Sequence, residues 1–312
     1  MSILQAILLG LPQGALYGLM GLGLSLIFGT TGVMNFAQGN SGMLGVFFAW
    51  SVLAWTKSLP LAIAAGIAAG ALLGVGTDRI LMKKVKGLTH GGMLIVTLGL
   101  LMAYEGLALI VWGTEPLLFP DLVTLPPLIW TLPPSVNPDG IPLIVAGSDL
   151  FILALALVIS LLFAAFFKFT KIGLALKARS QDEVGARVVG VSVKAVDSLA
   201  WGAGVGLCVA LGTLVAPKTM VTPGMLTTLQ LYGFTAAVFG GFSSLFGAVV
   251  GGVILGVLEK LASLGLDALF AATHAANVNS ADFQLSVILI VIIATLAIRP
   301  TGIFASRFKG KV

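Results

Sequence analysis

The feature that most constrains the fold is a succession of apolar runs that takes up most of the 312 residues. About 20 apolar residues cross a bilayer as a helix, which satisfies its own backbone hydrogen bonds. Charged residues make up only 9% of the chain and the mean hydropathy is +1.09, which excludes an ordinary soluble domain. We therefore predict one all-α, polytopic transmembrane helical bundle over residues 1–312, with eight or nine crossings and broken or re-entrant segments. The predicted spans are Ile3–Phe28, Val33–Trp55, Leu59–Met82, Met93–Val111, Leu150–Phe167, Val196–Ala216, Met225–Leu264 (a hairpin or a re-entrant pair) and Phe283–Ile298.

The distribution of Lys and Arg predicts the orientation of the chain. Loops that are rich in these residues stay in the cytoplasm. The stretch from Gly113 to Asp149 has four acidic residues, many prolines and no Lys or Arg, so we place it outside. The amino terminus then lies outside, the carboxyl terminus lies in the cytoplasm, and the net charge of +5 follows from topology and does not indicate nucleic acid. Fourteen of the 17 basic residues form three groups: Arg79, Lys83, Lys84 and Lys86; Lys168, Lys171, Lys177, Arg179, Arg187 and Lys194; and Arg299, Arg307, Lys309 and Lys311.

The stretch from Phe28 to Gly42 interrupts two apolar runs with glycines and side-chain amides. Non-helical backbone at membrane depth is tolerated where it is buried in protein or lines a cavity. Polar side chains at that depth are expensive, so they indicate function. We predict that this stretch lines a substrate pathway; the alternative is a plain turn between two helices at the membrane surface. The candidate pathway residues here are Asn35, Gln38, Asn40 and Ser41.

A second interruption lies between Pro217 and Gly247, where Thr222, Thr227 and Gln230 are further candidate pathway residues. Two interrupted segments, one in each half, are typical of a duplicated transporter with its site at the repeat interface. After each interruption, a helix rich in small residues ends in adjacent opposite charges, Asp78-Arg79 and Glu259-Lys260, although the identity between the halves is too low to assert a repeat. We expect one acid, Glu105, to lie well inside a span, where it is protonated, paired or near the membrane edge.

The segment 168–194 is a basic, amphipathic island in this apolar chain, and we predict a cytoplasmic loop with a short surface helix. Ser180 followed by Glu183 predicts a capping box. The helix would begin at Gln181, place acidic residues in its first turn and stop at a left-handed glycine. We expect it to dock on a partner; the alternative is an ordinary solvated loop. The candidate docking residues are Ser180, Gln181, Asp182, Glu183, Gly185, Ala186, Arg187 and Gly190.

Sequence motifs exclude several kinds of activity on this chain. A phosphate-cradling loop has the form G-x-x-x-x-G-K-[ST], and the sequence contains no such motif. No nucleophile, base and orienting group cluster together, and the isolated His90 and His274 make no metal set. We therefore predict that the chain is not an enzyme, binds no metal or cofactor, and depends on another chain for energy if transport is active.

Four stretches carry a resemblance to a known family. The run from Gly18 to Gly29, GLMGLGLSLIFG, is followed by VMNFAQG at Val33. Together they resemble the N-terminal signature of the LivH-type permeases of branched-chain amino acid ABC importers. Three later stretches resemble, in order, that family's external loop, its cytoplasmic coupling segment and its glycine-rich penultimate helix region. They are WGTEPLLFP at Trp112, ALKARSQDEVGARVVGV at Ala175 and FGGFSSLFGAVVGGVILG at Phe239.

The resemblance implies a permease subunit in a bacterial cytoplasmic membrane, with segment 168–194 as its coupling loop. Its expected partners are a second related permease (different or identical), two cytoplasmic ATPases that use ATP, an external solute-binding protein and the lipid bilayer. Its expected function is the import of branched-chain amino acids or related small polar organic solutes by alternating access.

Two departures from the family pattern leave the solute open. The family usually has His in place of Gln38 and often Glu in place of Asn40, and the loop 122–148 is longer and richer in proline than expected. The competing hypothesis is a secondary carrier driven by an ion gradient, for which Glu105 is the acidic candidate; a membrane-embedded enzyme or a structural subunit is a third. Neighbouring genes for an ATPase and a binding protein, or copurification with them, would separate these hypotheses.

Overall fold

A computed structural model describes residues 3–85, 89–130, 143–272, 283–299 and 301–304. Lys86, Asp139, Arg307, Lys309 and Lys311, which entered the orientation argument, lie outside the described residues. In the described ranges, six helices are long and apolar enough to cross a membrane, which confirms an all-α, polytopic membrane protein. They are Ile3–Thr31, Leu59–Val85, Gly91–Trp112, Gly147–Phe169, Val193–Thr219 and Leu245–Phe270.

The helices follow the apolar runs closely, and two short strands lie in the proline-rich segment. β1 and β2 pair antiparallel, with Ile129 opposite Ile144. The elements are α1 (Ile3–Thr31), α2 (Gln38–Thr56), α3 (Leu59–Thr77), a π-helical turn (Asp78–Met82), α4 (Lys83–Val85), α5 (His90–Trp112), β1 (Leu128–Trp130), β2 (Leu143–Val145), α6 (Gly147–Phe169), α7 (Lys171–Gln181), α8 (Glu183–Val188), α9 (Val193–Thr219), α10 (Thr227–Gly240), α11 (Leu245–Ala272) and α12 (Gln284–Ile298).

One helix boundary differs from the sequence-based expectation, and two helices are shorter than a full crossing. Helix α2 begins at Gln38 and not at Val33, because Gly32 takes a left-handed conformation (φ +70°) and the chain turns before it re-enters a helix. Helices α10 and α12 have 14 and 15 residues, fewer than the ~20 that a full crossing needs. The predicted Met225–Leu264 pair is the two helices α10 and α11. Eight or nine crossings stay a prediction.

Helices α1 and α11 pack antiparallel through small residues, which explains much of the glycine content. Gly10 lies against Gly256, and Gly14 lies against Gly252. A Cβ on Gly14 would come within 2.7 Å of the Gly252 carbonyl oxygen, so no larger residue fits at this approach. Such contacts let helix backbones come close in a membrane, where apolar burial gives no advantage over lipid.

Helices α9 and α3 form a second antiparallel pair of the same kind, in which Gly74 lies against Trp201 and Gly70 against Val209. In each pair, the first helix of a half (α1 or α9) also packs on a shorter helix that runs parallel to it. Helix α10 accompanies α1, with Gly233 against Gly21, and α2 accompanies α9. The first helix of each half therefore packs on the third helix of the other half. The repeat that identity alone could not assert is present in the packing.

The two ends of the bundle are distinct. The loop end carries residues 113–130 and 143–149, and Leu117 pairs there with Val221 through backbone hydrogen bonds of 3.0 and 2.8 Å. The basic end carries Lys83, Lys84 and the segment 168–194, where α4 and α7 meet the start of α9. The described basic residues of the groups at 79–84 and 168–194 thus lie at one end, as the sequence predicts, whereas Lys218 and Lys260 lie at the loop end.

Candidate functional site

The first interruption, residues 32–37, lies mostly inside the bundle: Val33, Asn35 and Ala37 are buried, Met34 and Phe36 are half-buried, and Gly32 is exposed. The Asn35 side chain folds the local chain, because its Oδ1 accepts from the Ala37 amide at 3.1 Å and its Nδ2 donates to Gln38 Oε1 at 2.9 Å. Gln38 Nε2 then donates to the Gly204 carbonyl oxygen at 2.7 Å. Since Gly204 lies about halfway along α9, helix α2 begins near the middle of the bundle.

The second interruption, residues 220–226, enters the bundle from the loop end. Gly224 takes a left-handed conformation (φ +77°), and its amide lies 3.0 Å from Met43 Sδ on α2. Leu226 is fully buried, with its side chain against Gly212 of α9. Of the predicted pathway residues, Thr222 is half-buried and Thr227 is exposed at the start of α10.

The two interruptions are joined by the side chain of Gln230. Its Oε1 accepts a hydrogen bond from the Gly39 amide, and its Nε2 donates to the Phe36 carbonyl oxygen at 2.5 Å. The Gly39 amide belongs to the first turn of α2, where backbone donors have no partner within the helix. Gln38 is fully buried, and Asn35 and Gln230 are 1% and 5% exposed. These three residues form what we call the amide joint, which ties α10 to the broken segment before α2.

Asn40 and Ser41 are buried beside the amide joint and also bond within the chain. Asn40 Nδ2 donates to the Leu101 carbonyl oxygen at 2.9 Å and to Glu105 Oε2 at 3.3 Å, while Ser41 Oγ donates to the Ala37 carbonyl oxygen at 2.6 Å. Glu105 is therefore paired with Asn40, which the sequence could not identify. Of the predicted pathway residues, those on the first interruption and Gln230 come together, and their amides bond the chain itself. Within the described ranges, no side-chain hydrogen bond links Thr222 or Thr227 to them.

Three acids other than Glu105 are buried, and each lies towards one end of the bundle. The expectation that Glu105 is the one acid well inside a span stays a prediction. Asp78 accepts from Ser198 Oγ at 2.5 Å, and Asp197 pairs with Arg179 at 3.1 Å, both at the basic end. Glu259 accepts from the Tyr17 hydroxyl at 2.6 Å near the loop end. Two of these buried acids could have been predicted from the sequence pairs Asp78-Arg79 and Glu259-Lys260. In each pair, the acid lies next to a base at the end of a helix that is rich in small residues.

The coupling segment forms two helices, and the predicted capping box is wrong. Helix α7 runs through Ser180 to Gln181, and the Ser180 hydroxyl donates back to the Lys177 carbonyl oxygen at 2.8 Å. The cap of α8 is Asp182, whose side chain accepts from the Val184 amide at 2.9 Å. Glu183 is free to turn toward Arg179, at 2.9 Å, and does not reach back to Ser180. The better-placed carboxylate thus displaces the serine as cap.

Helix α8 turns one face inward and one face outward. Ala186 is 3% exposed, so it packs on its own chain and does not offer the contact surface that was predicted. Val184 and Val188 lie on the outer face at 70% and 81% exposed. Arg187 is exposed and pairs with Glu183. Gly190 ends the helix in the predicted left-handed conformation (φ +83°).

Arg179 connects the coupling segment to the bundle. Its guanidinium pairs with Glu183 on α8 and with Asp197 on α9, and its side chain is only 10% exposed. Removal of one partner of such a buried ion pair destabilises a protein strongly. Arg179 thus links α8 to α9, the helix whose Gly204 accepts a hydrogen bond from Gln38 of the amide joint.

Comparisons with known proteins cover nearly the whole chain. LivH of Salmonella typhimurium, a high-affinity branched-chain amino acid transport system permease protein, is 24% identical over 99% of this chain and 97% of its own length. BraD of Pseudomonas aeruginosa is 25% identical over 99% and 98%. A probable LivH of Methanocaldococcus jannaschii is 27% identical over 93% and 89%. PsaBC from Streptococcus pneumoniae, a solved structure, aligns with 96% of this chain and 93% of its own at 14% identity and a TM-score of 0.49.

The family model for the permease component of branched-chain amino acid transport systems matches residues 6–296. This range includes both interruptions, the amide joint and the coupling segment. The chain therefore belongs to the family of permease components of branched-chain amino acid transport systems.

Proposed function

We propose that this chain is a transmembrane subunit of an ATP-driven importer that moves branched-chain amino acids, or related small polar organic solutes, into the cytoplasm by alternating access. The observation that carries the proposal is the nearly full-length match to permeases of high-affinity branched-chain amino acid transport. Membership of this family confirms a multi-pass inner-membrane transport subunit that is not itself an enzyme. The proposed partners are a second related permease, different or identical, two cytoplasmic ATPases and an external solute-binding protein. This chain would bind no cofactor, since ATP is used by the ATPases.

The proposed orientation places the basic end in the cytoplasm and the loop end outside, in agreement with the positive-inside rule. Single cysteines test it, because the native Cys208 is only 2% exposed and should react slowly. Cysteines in place of Lys84 and Lys177 should be labelled from the cytoplasm, and one in place of Glu115 from outside. Labelling of Glu115→Cys and Lys177→Cys from the same side would refute this topology.

We assign the substrate pathway to the surroundings of the amide joint. Because the amides bond the chain itself, passage of a solute would require those hydrogen bonds to open, which suits a gate that forms and breaks during the cycle. Thr222 is half-buried and Thr227 is exposed, and both would contact the solute near the amide joint. Replacement of Gln38 by Leu should then slow uptake, whereas unchanged uptake in Gln38→Leu and Asn35→Leu would remove the assignment.

The proposed coupling surface is the outer face of α8, on which Val184 and Val188 would insert into an ATPase. The inner face is occupied, and a Cβ on Gly185 would come within 2.7 Å of the capping Asp182 carboxylate, so a change at Gly185 would disturb the helix itself. Val188→Asp is the cleaner test, with Val123→Asp at the loop end as a matched control. The first should reduce the ATPase retained on copurification and the second should not; equal retention would move the docking site elsewhere.

The overall function is tested in proteoliposomes that contain the permease, its copurified partners and the binding protein. Radiolabelled leucine, isoleucine or valine should accumulate only with ATP. Accumulation that follows an imposed ion gradient without ATP would instead establish a secondary carrier.

A further inference from the structure

A cavity of about 420 Å³ lies at the loop end between α1, α6, α9, α10 and α11. Its size falls within the range of small-molecule sites. None of the amide-joint residues lines it, so it is a separate feature. Thr228 in the first turn of α10 lines it, and Asp149 at the start of α6 and Lys218 at the end of α9 form an ion pair in its wall.

The polar part of the lining carries both signs of charge. Lys260 of α11 is a half-buried cation in the wall, in addition to the Asp149–Lys218 pair. Gln13 Nε2 donates to the Tyr17 hydroxyl at 2.9 Å, and the Tyr17 ring stacks on Tyr232 with 4.3 Å between ring centroids. Convergent charged and polar side chains in the wall of a mainly apolar cavity favour a role in ligand binding.

Behind this wall, Glu259 fixes the position of Tyr17. Glu259 is 2% exposed, and its Oε2 accepts a hydrogen bond from the Tyr17 hydroxyl. Its Oε1 has no hydrogen-bond partner among the described residues. Since the Tyr17 hydroxyl donates to Glu259 and accepts from Gln13, the ring is held against Tyr232. Glu259 is thus a positioning residue for the wall.

The rest of the lining is mostly aliphatic and includes Leu16, Ile152 and Leu229. The polar Thr219 also lines the cavity. A ligand that suits this cavity therefore combines a negative group, a positive group and a short aliphatic chain in one small molecule. A zwitterionic amino acid with an aliphatic side chain has this chemistry.

We propose that this cavity is a binding subsite for the amino acid on the loop-end side of the amide joint. The substrate carboxylate would bind Lys260 and the first turn of α10, where the helix dipole favours an anion. The ammonium group would bind Asp149, and the side chain would lie on the aliphatic surface. The proposal rests on the proposed function, because it takes the substrate class from there.

The test uses the full chain in lipid nanodiscs and the rate at which a maleimide labels Thr228→Cys. Thr114→Cys is the matched control, since Thr114 is an exposed threonine at the loop end that does not line the cavity. At a leucine concentration of about ten times its Kd, labelling of Thr228→Cys should slow about tenfold, because the unoccupied fraction is 1/(1 + [L]/Kd). Labelling of Thr114→Cys should not change.

Two analogues separate the charged contacts. 4-Methylpentanoate lacks the ammonium group and 3-methylbutylamine lacks the carboxylate, so each should need about ten- to a hundredfold higher concentration for the same protection. Lys260→Gln should weaken the binding of leucine by a similar factor and leave the binding of 3-methylbutylamine unchanged. Lys260→Arg keeps the cation and should retain most of the protection by leucine. Size-exclusion profiles confirm that each variant is folded.

The outcomes distinguish the subsite from the proposed function. If leucine is transported by the assembled importer and does not protect Thr228→Cys, the subsite is wrong and the function stands. If the importer moves no branched-chain amino acid, both are wrong. If protection follows the lipid headgroup of the nanodisc and not leucine, the cavity is a lipid site and the proposal is overturned.

Discussion

Replacement of Gln230 by Met tests whether the amide joint holds the two halves together. The methionine side chain has a similar length and keeps the apolar contacts, but it removes both hydrogen bonds to the broken segment before α2. The Gly39 amide and the Phe36 carbonyl then lose these partners inside the bundle. Each stranded buried group costs about 1–3 kcal/mol, so the free energy of unfolding should fall by roughly 2–6 kcal/mol.

The assay is the Tm of the purified chain in detergent, followed by fluorescence-detected size exclusion. Gln181→Met is the control, because Gln181 is exposed at the end of α7. Gln230→Glu should also melt below the Gln181→Met control, since an ionised carboxylate still accepts from Gly39 but cannot donate to Phe36 and is costly to bury. If Gln230→Met has the same Tm as the Gln181→Met control, water or a shifted backbone satisfies the Gly39 amide and the Phe36 carbonyl. The amide joint then does not stabilise the fold.

Three further predictions follow from the packing and the buried charges. Gly14→Val should prevent the close approach of α1 and α11 and lower the yield of folded protein, whereas Gly99→Val, which meets nothing within 4 Å, should be tolerated in the same assay. Arg179→Gln should lower the Tm, because breaking a buried pair costs about 3–5 kcal/mol, and adding Asp197→Asn should recover part of the loss; no recovery would contradict a direct pairing. Asp182→Ala should remove the α8 cap at a cost of ~1 kcal/mol and give a partial loss of ATP-dependent uptake.

Much of the fold could be predicted because apolar runs and helix-breaking glycines act locally. The sequence identified both interruptions, and its candidates Asn35, Gln38 and Gln230 meet there. Their role in a substrate pathway stays a prediction. The partners of those residues could not be predicted, because Gln230 and Gly39 are 191 positions apart and their meeting depends on how four helices pack. The cap of α8 was not predicted correctly because both Ser180 and Asp182 can cap a helix. Helix α7 extends to Gln181, so Ser180 lies inside it and Asp182 caps α8.

The exchange of partners between the halves has a consequence for biogenesis. Helix α1 enters the membrane before α11, yet the small-residue surface that includes Gly14 fits α11, which the ribosome makes about 230 residues later. Until then, α1 sits in the bilayer without its principal neighbour, exposed to insertases and to membrane proteases. A chain interrupted before α11 should be degraded rather than accumulate as a stable half, so the rate of translation and the timing of membrane insertion become determinants of how much permease the cell obtains.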